Sequence, residues 1–191
     1  MTRIGLFGGS FNPPHIAHAL VAHYVRETQP VDEVWIVPVY AHAFGKQLAP
    51  YEDRIAMCEL ATRGLGPDVK VSRAEEALAK QPGFTVSRTL DLLQLLAAPD
   101  RELRLVIGAD ILGETHKWYR WNDVVAVAPP IAIGRSGYAA PAGVSLTGVT
   151  MPEISATRVR ELVAAGDTEQ VSQLLPREVL RYIAERRLYA G

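Results

Sequence analysis

Hydrophobic positions along the chain fall into two kinds of run that alternate. Short, nearly continuous apolar stretches occur at residues 4–7, 31–39, 69–72, 103–107 and 131–133. Runs without a polar alternation suit strands covered on both faces, as parallel strands are. Between them lie segments with helical spacing: residues 16–25, residues 51–63 with acidic side chains early and Arg63 late, and residues 85–97 with leucines at core intervals. Strand and helix trade places at the distances of βαβ units. That predicts an α/β fold, a Rossmann-like doubly wound parallel sheet with helices on both faces. A loop rich in Gly, Pro and Ala at 134–143 precedes a further strand, at 144–149, placed at an edge. From Ser155 the chain reads as helical, with Ser155 as an N-cap and Pro176 opening a terminal helix.

Length adds that 191 residues make one domain, 1–191, with a sizeable core. A hydrophobic content of 48% and a net charge of -1 describe a globular chain with no basic excess for a nucleic-acid polymer. Cys58 is the single cysteine, so neither an internal disulfide nor a cysteine-built zinc site can form, and its helical neighbours make it a core side chain. No apolar run approaches bilayer-spanning length and the N-terminus enters a strand at once, so no membrane and a cytoplasmic location are expected. A homo-oligomer is compatible with the sequence.

The turn after the first strand carries the candidate chemistry. Gly8-Gly9-Ser10-Phe11-Asn12-Pro13-Pro14-His15-Ile16-Ala17-His18 reads as strand end, glycine-proline turn and helix start. Paired glycines let backbone N–H groups approach an anion, and a helix N-terminus adds unpaired donors and a positive dipole end. The prolines suit a first helical turn, where a missing N–H has no intrahelical partner to lose. His15 and His18, three apart, share a helix face. Alone, Gly-Gly is an ordinary turn and the histidines an ordinary half-buried pair; their joint order is far more specific. Other chemistry-bearing residues also fall at strand ends: His42 and Lys46 after the second, Gly108-Ala109-Asp110 after the fourth, Arg135 after the fifth. In open parallel sheets that edge, at the switch point of strand order, is where ligands bind.

The segment GSFNPPHIAH resembles the GxFxPxHxGH signature of the HxGH nucleotidylyltransferases, with Ala17 at the family's glycine. Ile154-Ser155-Ala156-Thr157-Arg158-Val159-Arg160 is similar to that family's ISSTxIR, with Ala156 replacing one serine. Gly108-Ala109-Asp110, Trp118-Tyr119-Arg120-Trp121 and Pro82-Gly83-Phe84-Thr85-Val86 resemble the GAD, TWxxW-like and PSYTI segments of its nicotinate-nucleotide adenylyltransferase subfamily. The resemblance implies transfer of an adenylyl group from ATP to a pyridine mononucleotide, most simply nicotinate mononucleotide, with release of pyrophosphate. It implies that Gly8, Gly9, Ser10, Phe11, His15 and His18 line the ATP site, the two histidines stabilising charge on the α-phosphate. Ser155, Thr157 and Arg160 at the helix start would hold the β and γ phosphates, Arg160 counting with the histidines as catalytic. Gly108 would admit the adenosine and Asp110 contact its ribose. Trp118 would stack on the pyridine, the Thr85 and Tyr119 backbone meet its carboxylate, and Lys46 and Arg54 supply charge to substrate phosphates.

Plainer readings stand beside these. Trp118 and Trp121 suit a core, which for Trp121, opening a pattern with Val124 and Val125, is the preferred reading; His42 suits a loop. No acidic cluster suggests a protein-built metal cage, so no protein metal site is expected and Mg²⁺ arrives with ATP. The rival activities are dual nicotinate and nicotinamide specificity, a pantetheine-phosphate adenylyltransferase or cytidylyltransferase, and a nucleotide-binding module without turnover.

Overall fold

The computed structural model describes residues 1–41, 45, 47–134 and 144–190. Among them, six strands form one all-parallel sheet in the order β3-β2-β1-β4-β5-β6: β1 (Thr2–Gly9), β2 (Glu33–Pro38), β3 (Val69–Val71), β4 (Arg101–Gly108), β5 (Pro130–Ile133) and β6 (Ser145–Leu146). The helices are α1 (Ile16–Thr28), α2 (Tyr51–Thr62), α3 (Ala74–Ala79), α4 (Thr89–Leu96), α5 (Trp121–Val127), α6 (Ala156–Ala164), α7 (Thr168–Leu174) and α8 (Arg177–Arg186), with a 3-10 helix at Ala109–Lys117. The chain runs outward from β1 to β3 and then returns across β1 to β4, so the switch point lies between β1 and β4. There Leu6 sits opposite Trp35 on one side and Leu105 on the other.

Successive β1 side chains point to opposite layers. Ile4 and Leu6 pack with Leu103, Leu105 and Ile107 against Leu90 and Leu93 of α4 and Val124 of α5. Phe7 faces the other way, with Val34, Ile36, Val106 and Ile131, against Ala22 and Val25 of α1 and Cys58 of α2. Double coverage is why the strands read as unbroken apolar runs. A third cluster joins α6, α7 and α8 through Val159, Leu162, Val171 and Val179 to Met57 of α2. Alpha-helix α8 is also anchored on α2 by charge. The buried Asp53 carboxylate accepts from Tyr182 Oη at 2.7 Å and from Arg186 Nε at 3.2 Å.

Three elements differ from expectation. The helix expected over 85–97 begins only at Thr89, because Arg88 is extended (φ -114°, ψ 134°). Ser87 instead pairs with the loop after β2, donating N–H to Ala41 O at 3.3 Å and accepting Ala41 N–H on Oγ at 3.4 Å. Helix α3 is six residues long, too short to display a period. The strand expected at 144–149 narrows to the exposed pair of β6. Its approach to β5 is set by Gly134, where a Cβ would lie 2.6 Å from Val149 O and 2.7 Å from Thr147 O. The rest of the 134–143 loop, Arg135 included, lies outside the described residues.

Candidate active site

Strand β1 ends at the switch point with Gly8 exposed, although β1 has a neighbour on each side. A Cβ on Gly8 would meet nothing within 4 Å, so backbone is open to a ligand there. At Gly9 the corresponding space belongs to the Phe11 ring, 3.2 Å away. Phe11 has φ 44°, a left-handed conformation uncommon for a bulky residue, and its buried ring packs edge-on against Phe7 and His18. The Asn12-Pro13 peptide is cis. Both prolines precede the helix instead of occupying its first turn, as the sequence suggested, because His15 is extended (φ -129°, ψ 174°) and is itself the N-cap.

His15 and His18 therefore sit at the N-cap and third positions of α1. The His15 backbone N–H donates to His18 Nδ1 at 3.0 Å, and the two rings stack with centroids 3.7 Å apart and planes 26° apart. An Nδ1 that accepts a hydrogen bond carries no proton, so the ring proton of His18 lies on Nε2 and makes that atom a donor. His15 is buried and His18 half-buried, so these imidazoles work in a partly desolvated environment where a donor counts for more than in water.

Alpha-helix α6 brings the second set of expected residues to this turn. Ser155 Oγ caps it by accepting from Arg158 N–H at 3.4 Å, as expected of that residue. Arg160, one turn further, donates from Nη2 to Thr157 Oγ1 at 3.2 Å and from Nη1 to Asn12 O at 2.8 Å, across 148 residues of sequence. The start of α6, with Ser155 and Thr157 exposed, thus lies beside the histidine turn. At the end of β4, a Cβ on Gly108 would collide with the Asp110 carboxylate, which folds back over it. Glycine there is what lets Asp110 adopt that position.

The segments expected to hold a pyridine ring meet each other. Trp118 is half-buried, meeting Trp121 edge to face at 5.4 Å, and both indoles pack on the core, as preferred for Trp121. Tyr119 is exposed beneath the Arg88 guanidinium, 4.7 Å from its ring centroid. That stack joins 118–121 to the segment carrying Thr85, which is exposed. Arg54 is placed otherwise than expected: it is 2% exposed and donates to Ala49 O, Ser10 O and Val39 O at 3.0, 3.0 and 2.8 Å. Burial opposes its charge, and three carbonyls with the Tyr51 ring at 5.4 Å offset that cost, so it ties the loops after β1 and β2 together. Lys46 and His42 lie outside the described residues.

Sequence reasoning did not single out Glu75, which is buried beneath these loops. Its carboxylate accepts from Tyr40 N–H at 3.4 Å and from the Ser87 hydroxyl. Desolvation nonetheless pushes the carboxyl above the usual carboxylate range, the two donors and Arg54 pulling the other way. A carboxyl raised on folding contributes stability that is present at low pH and lost as pH rises through its folded-state pKa. Glu75→Gln is therefore expected to gain in Tm relative to the parent as pH rises from below the ordinary glutamate range through the raised folded-state pKa. Melting curves across that range check it, and a difference independent of pH would refute it.

Ala17 is buried in the first turn of α1, at the position where the resembling signature has glycine. Ala17→Gly removes one methyl beside the histidines against a helix-propensity loss of ~1 kcal/mol or less near the terminus. Activity equal to or above the parent is expected in a steady-state assay. A collapse of activity with the fold intact would mean that this helix start differs from the signature's.

Fold and turn together define an α/β protein with a histidine pair at the helix start beside its sheet's switch point. A family model described as cytidylyltransferase-like matches residues 6–162, which places the chain among nucleotidyltransferases. Over 191 residues it is 48% identical to an Anaeromyxobacter sp. (strain K) protein named "Probable nicotinate-nucleotide adenylyltransferase", covering 99% of this chain and 97% of the relative. A Myxococcus xanthus relative of the same name is 39% identical over 98% of this chain and 94% of its own. The chain belongs to the nicotinate-nucleotide adenylyltransferase family. Its fold is similar to that of a Plasmodium falciparum nicotinic acid mononucleotide adenylyltransferase solved with NaAD, with TM-score 0.80 and 18% identity over 99% of this chain and 98% of that one.

Proposed function

We infer that the protein is an adenylyltransferase of NAD biosynthesis that joins ATP to nicotinate mononucleotide, giving nicotinate adenine dinucleotide and pyrophosphate. Full-length similarity to relatives of that name supports the reading. The observation that carries it is the stacked histidine pair at the sheet's switch point, with His18 Nδ1 accepting from backbone, which makes Nε2 a donor.

In this reading a phosphate oxygen of the mononucleotide attacks the α-phosphorus of ATP. One P–O bond forms, the bond to the β-phosphate oxygen breaks, and pyrophosphate leaves with that electron pair. No protein nucleophile is required, so catalysis rests on positioning and on donors aimed at the charge that develops. His15 and His18 act at the α-phosphate. Arg160 has N–H groups beyond the two that bind Asn12 and Thr157, and with Ser155, Thr157 and the α6 N-terminus it takes the β and γ phosphates. Gly8 to Phe11 line the nucleotide, Gly108 and Asp110 take the adenosine, and Trp118, Thr85 and Tyr119 the pyridine. Among the described residues no three His, Cys, Asp or Glu gather to hold a metal. Mg²⁺ is proposed to arrive with ATP, where it would supply charge neutralisation to the phosphates. No described helix is long and apolar enough to cross a membrane; a cytoplasmic location is part of the proposal. Residues 1–191 are proposed to act as one domain.

The test is to incubate the protein with ATP, Mg²⁺ and a panel of acceptor phosphates, reading pyrophosphate release. Nicotinate mononucleotide should give the highest kcat/KM. Preference for phosphopantetheine, or no release with any acceptor, would overturn the assignment.

A further inference from the structure

The turn that carries His15 is held from outside more than by its own bonds. Phe11 occupies a sparsely populated backbone region, a state that persists only where the surroundings over-determine it. Four donors converge on its neighbours. Ser10 O accepts from Arg54, Asn12 O from Arg160, and Asn12 Oδ1 accepts both Ala49 N–H at 2.9 Å and Tyr189 Oη at 2.8 Å. Asn12 is 4% exposed and lies three residues before His15, so its side chain faces the interior while its backbone leads into the histidine pair. Tyr189 comes from the other end of the chain, 177 residues away, and is itself left-handed at φ 60° just beyond α8. Burial pushes its phenol well above the ordinary range, which keeps the proton on Oη that the bond to Asn12 needs.

We propose that Tyr189 is a positioning residue for the adenylyl transfer, its hydroxyl fixing Asn12 and through it the turn that aims His15 and His18. The inference rests on the role of those histidines given above. Donors act on developing charge only in a narrow range of position, and a misplacement of about 1 Å can cost roughly 100-fold in rate. Removing one of four ties should displace the turn by less than that.

The experiment uses the full chain and two phenylalanine variants. Tyr189→Phe keeps the ring and removes the hydroxyl; kcat per folded molecule is expected to fall roughly 10-fold, with KM for ATP and for nicotinate mononucleotide within about twofold. Hydrogen exchange at the His15 amide, whose N–H binds His18 Nδ1, should quicken in parallel by about 10-fold. Tyr182→Phe is the control, because it loosens α8 at Asp53 without touching the turn; it should lower Tm yet leave kcat and that exchange rate unchanged. The proposal is overturned if Tyr189→Phe keeps kcat and exchange within about twofold of the parent, or if Tyr182→Phe loses as much at an equal loss of Tm. A parent protein without pyrophosphate release would refute the adenylyltransferase reading instead, and the exchange comparison would still decide the role of Tyr189.

Discussion

His18→Ala is expected to lower kcat by roughly 100- to 1000-fold, about 2.7 to 4 kcal/mol of transition-state stabilisation, while ATP binding weakens only a few-fold. The asymmetry follows from what the ring does. With Nδ1 held by the His15 N–H, His18 presents Nε2–H in a fixed tautomer, and in the proposed role its bond to the α-phosphate would strengthen as charge builds on the phosphoryl oxygens. In the proposed site the ground-state nucleotide would be held by further contacts, from Gly8 to the start of α6, so its binding should not depend on one imidazole. Loss of the ring also frees the His15 N–H at a helix N-terminus, where water can replace it, so stability should fall by about 1 kcal/mol or less. His15→Ala should behave similarly, since it removes the ring stacked 3.7 Å from His18 and the cap residue together. Single-turnover rates beside an ATP titration separate the two effects. Turnover near normal in both variants would sink the assignment of the pair.

What could be read from the chain divides by how far apart the interacting residues lie. The strands were legible because both faces of each are covered, which leaves a signature inside a few residues: Leu6 and Phe7 are both apolar although they enter different layers. The two outer signatures were legible for the same reason, each being a turn or helix start complete within about ten positions. Arg54 was not. In α2 the buried set includes Asp53, Arg54, Ile55, Met57 and Cys58, so charge and exposure part company and no periodicity shows which way the guanidinium turns. Glu75 stands beside Glu76 in a helix of six residues, too short for a pattern to tell the buried carboxylate from the half-buried salt-bridged one. The bond from Tyr189 to Asn12 spans nearly the whole chain, and only the fold could bring those residues together.

Nicotinate mononucleotide is expected to be preferred over its amide by roughly 10- to 200-fold in kcat/KM. The segments around Thr85 and Tyr119 are joined by the stack of Arg88 on the Tyr119 ring, which also sets a guanidinium in the wall proposed for the pyridine substituent. A carboxylate there accepts from every backbone N–H directed at it, with the added strength of a charge-assisted bond, and gains from the nearby cation. A carboxamide offers one acceptor oxygen and turns its NH₂ toward donors. A buried donor left without a partner costs about 1 to 3 kcal/mol, which sets the size of the expected ratio. Trp118 should contribute little to it, since in the proposed site both rings would stack equally well on the half-buried indole. Trp118→Ala is accordingly expected to raise KM for both mononucleotides together and largely preserve their ratio. Arg88→Gln, by contrast, should narrow the ratio without a matching loss on the amide, because it removes charge that only the carboxylate feels. Parallel kcat/KM measurements on the two mononucleotides with the three proteins test all of this. Equal values in the parent would move the function to a dual-specificity pyridine nucleotide adenylyltransferase, and a ratio lost in Trp118→Ala but kept in Arg88→Gln would place the carboxylate's partners on the tryptophan side of the pocket.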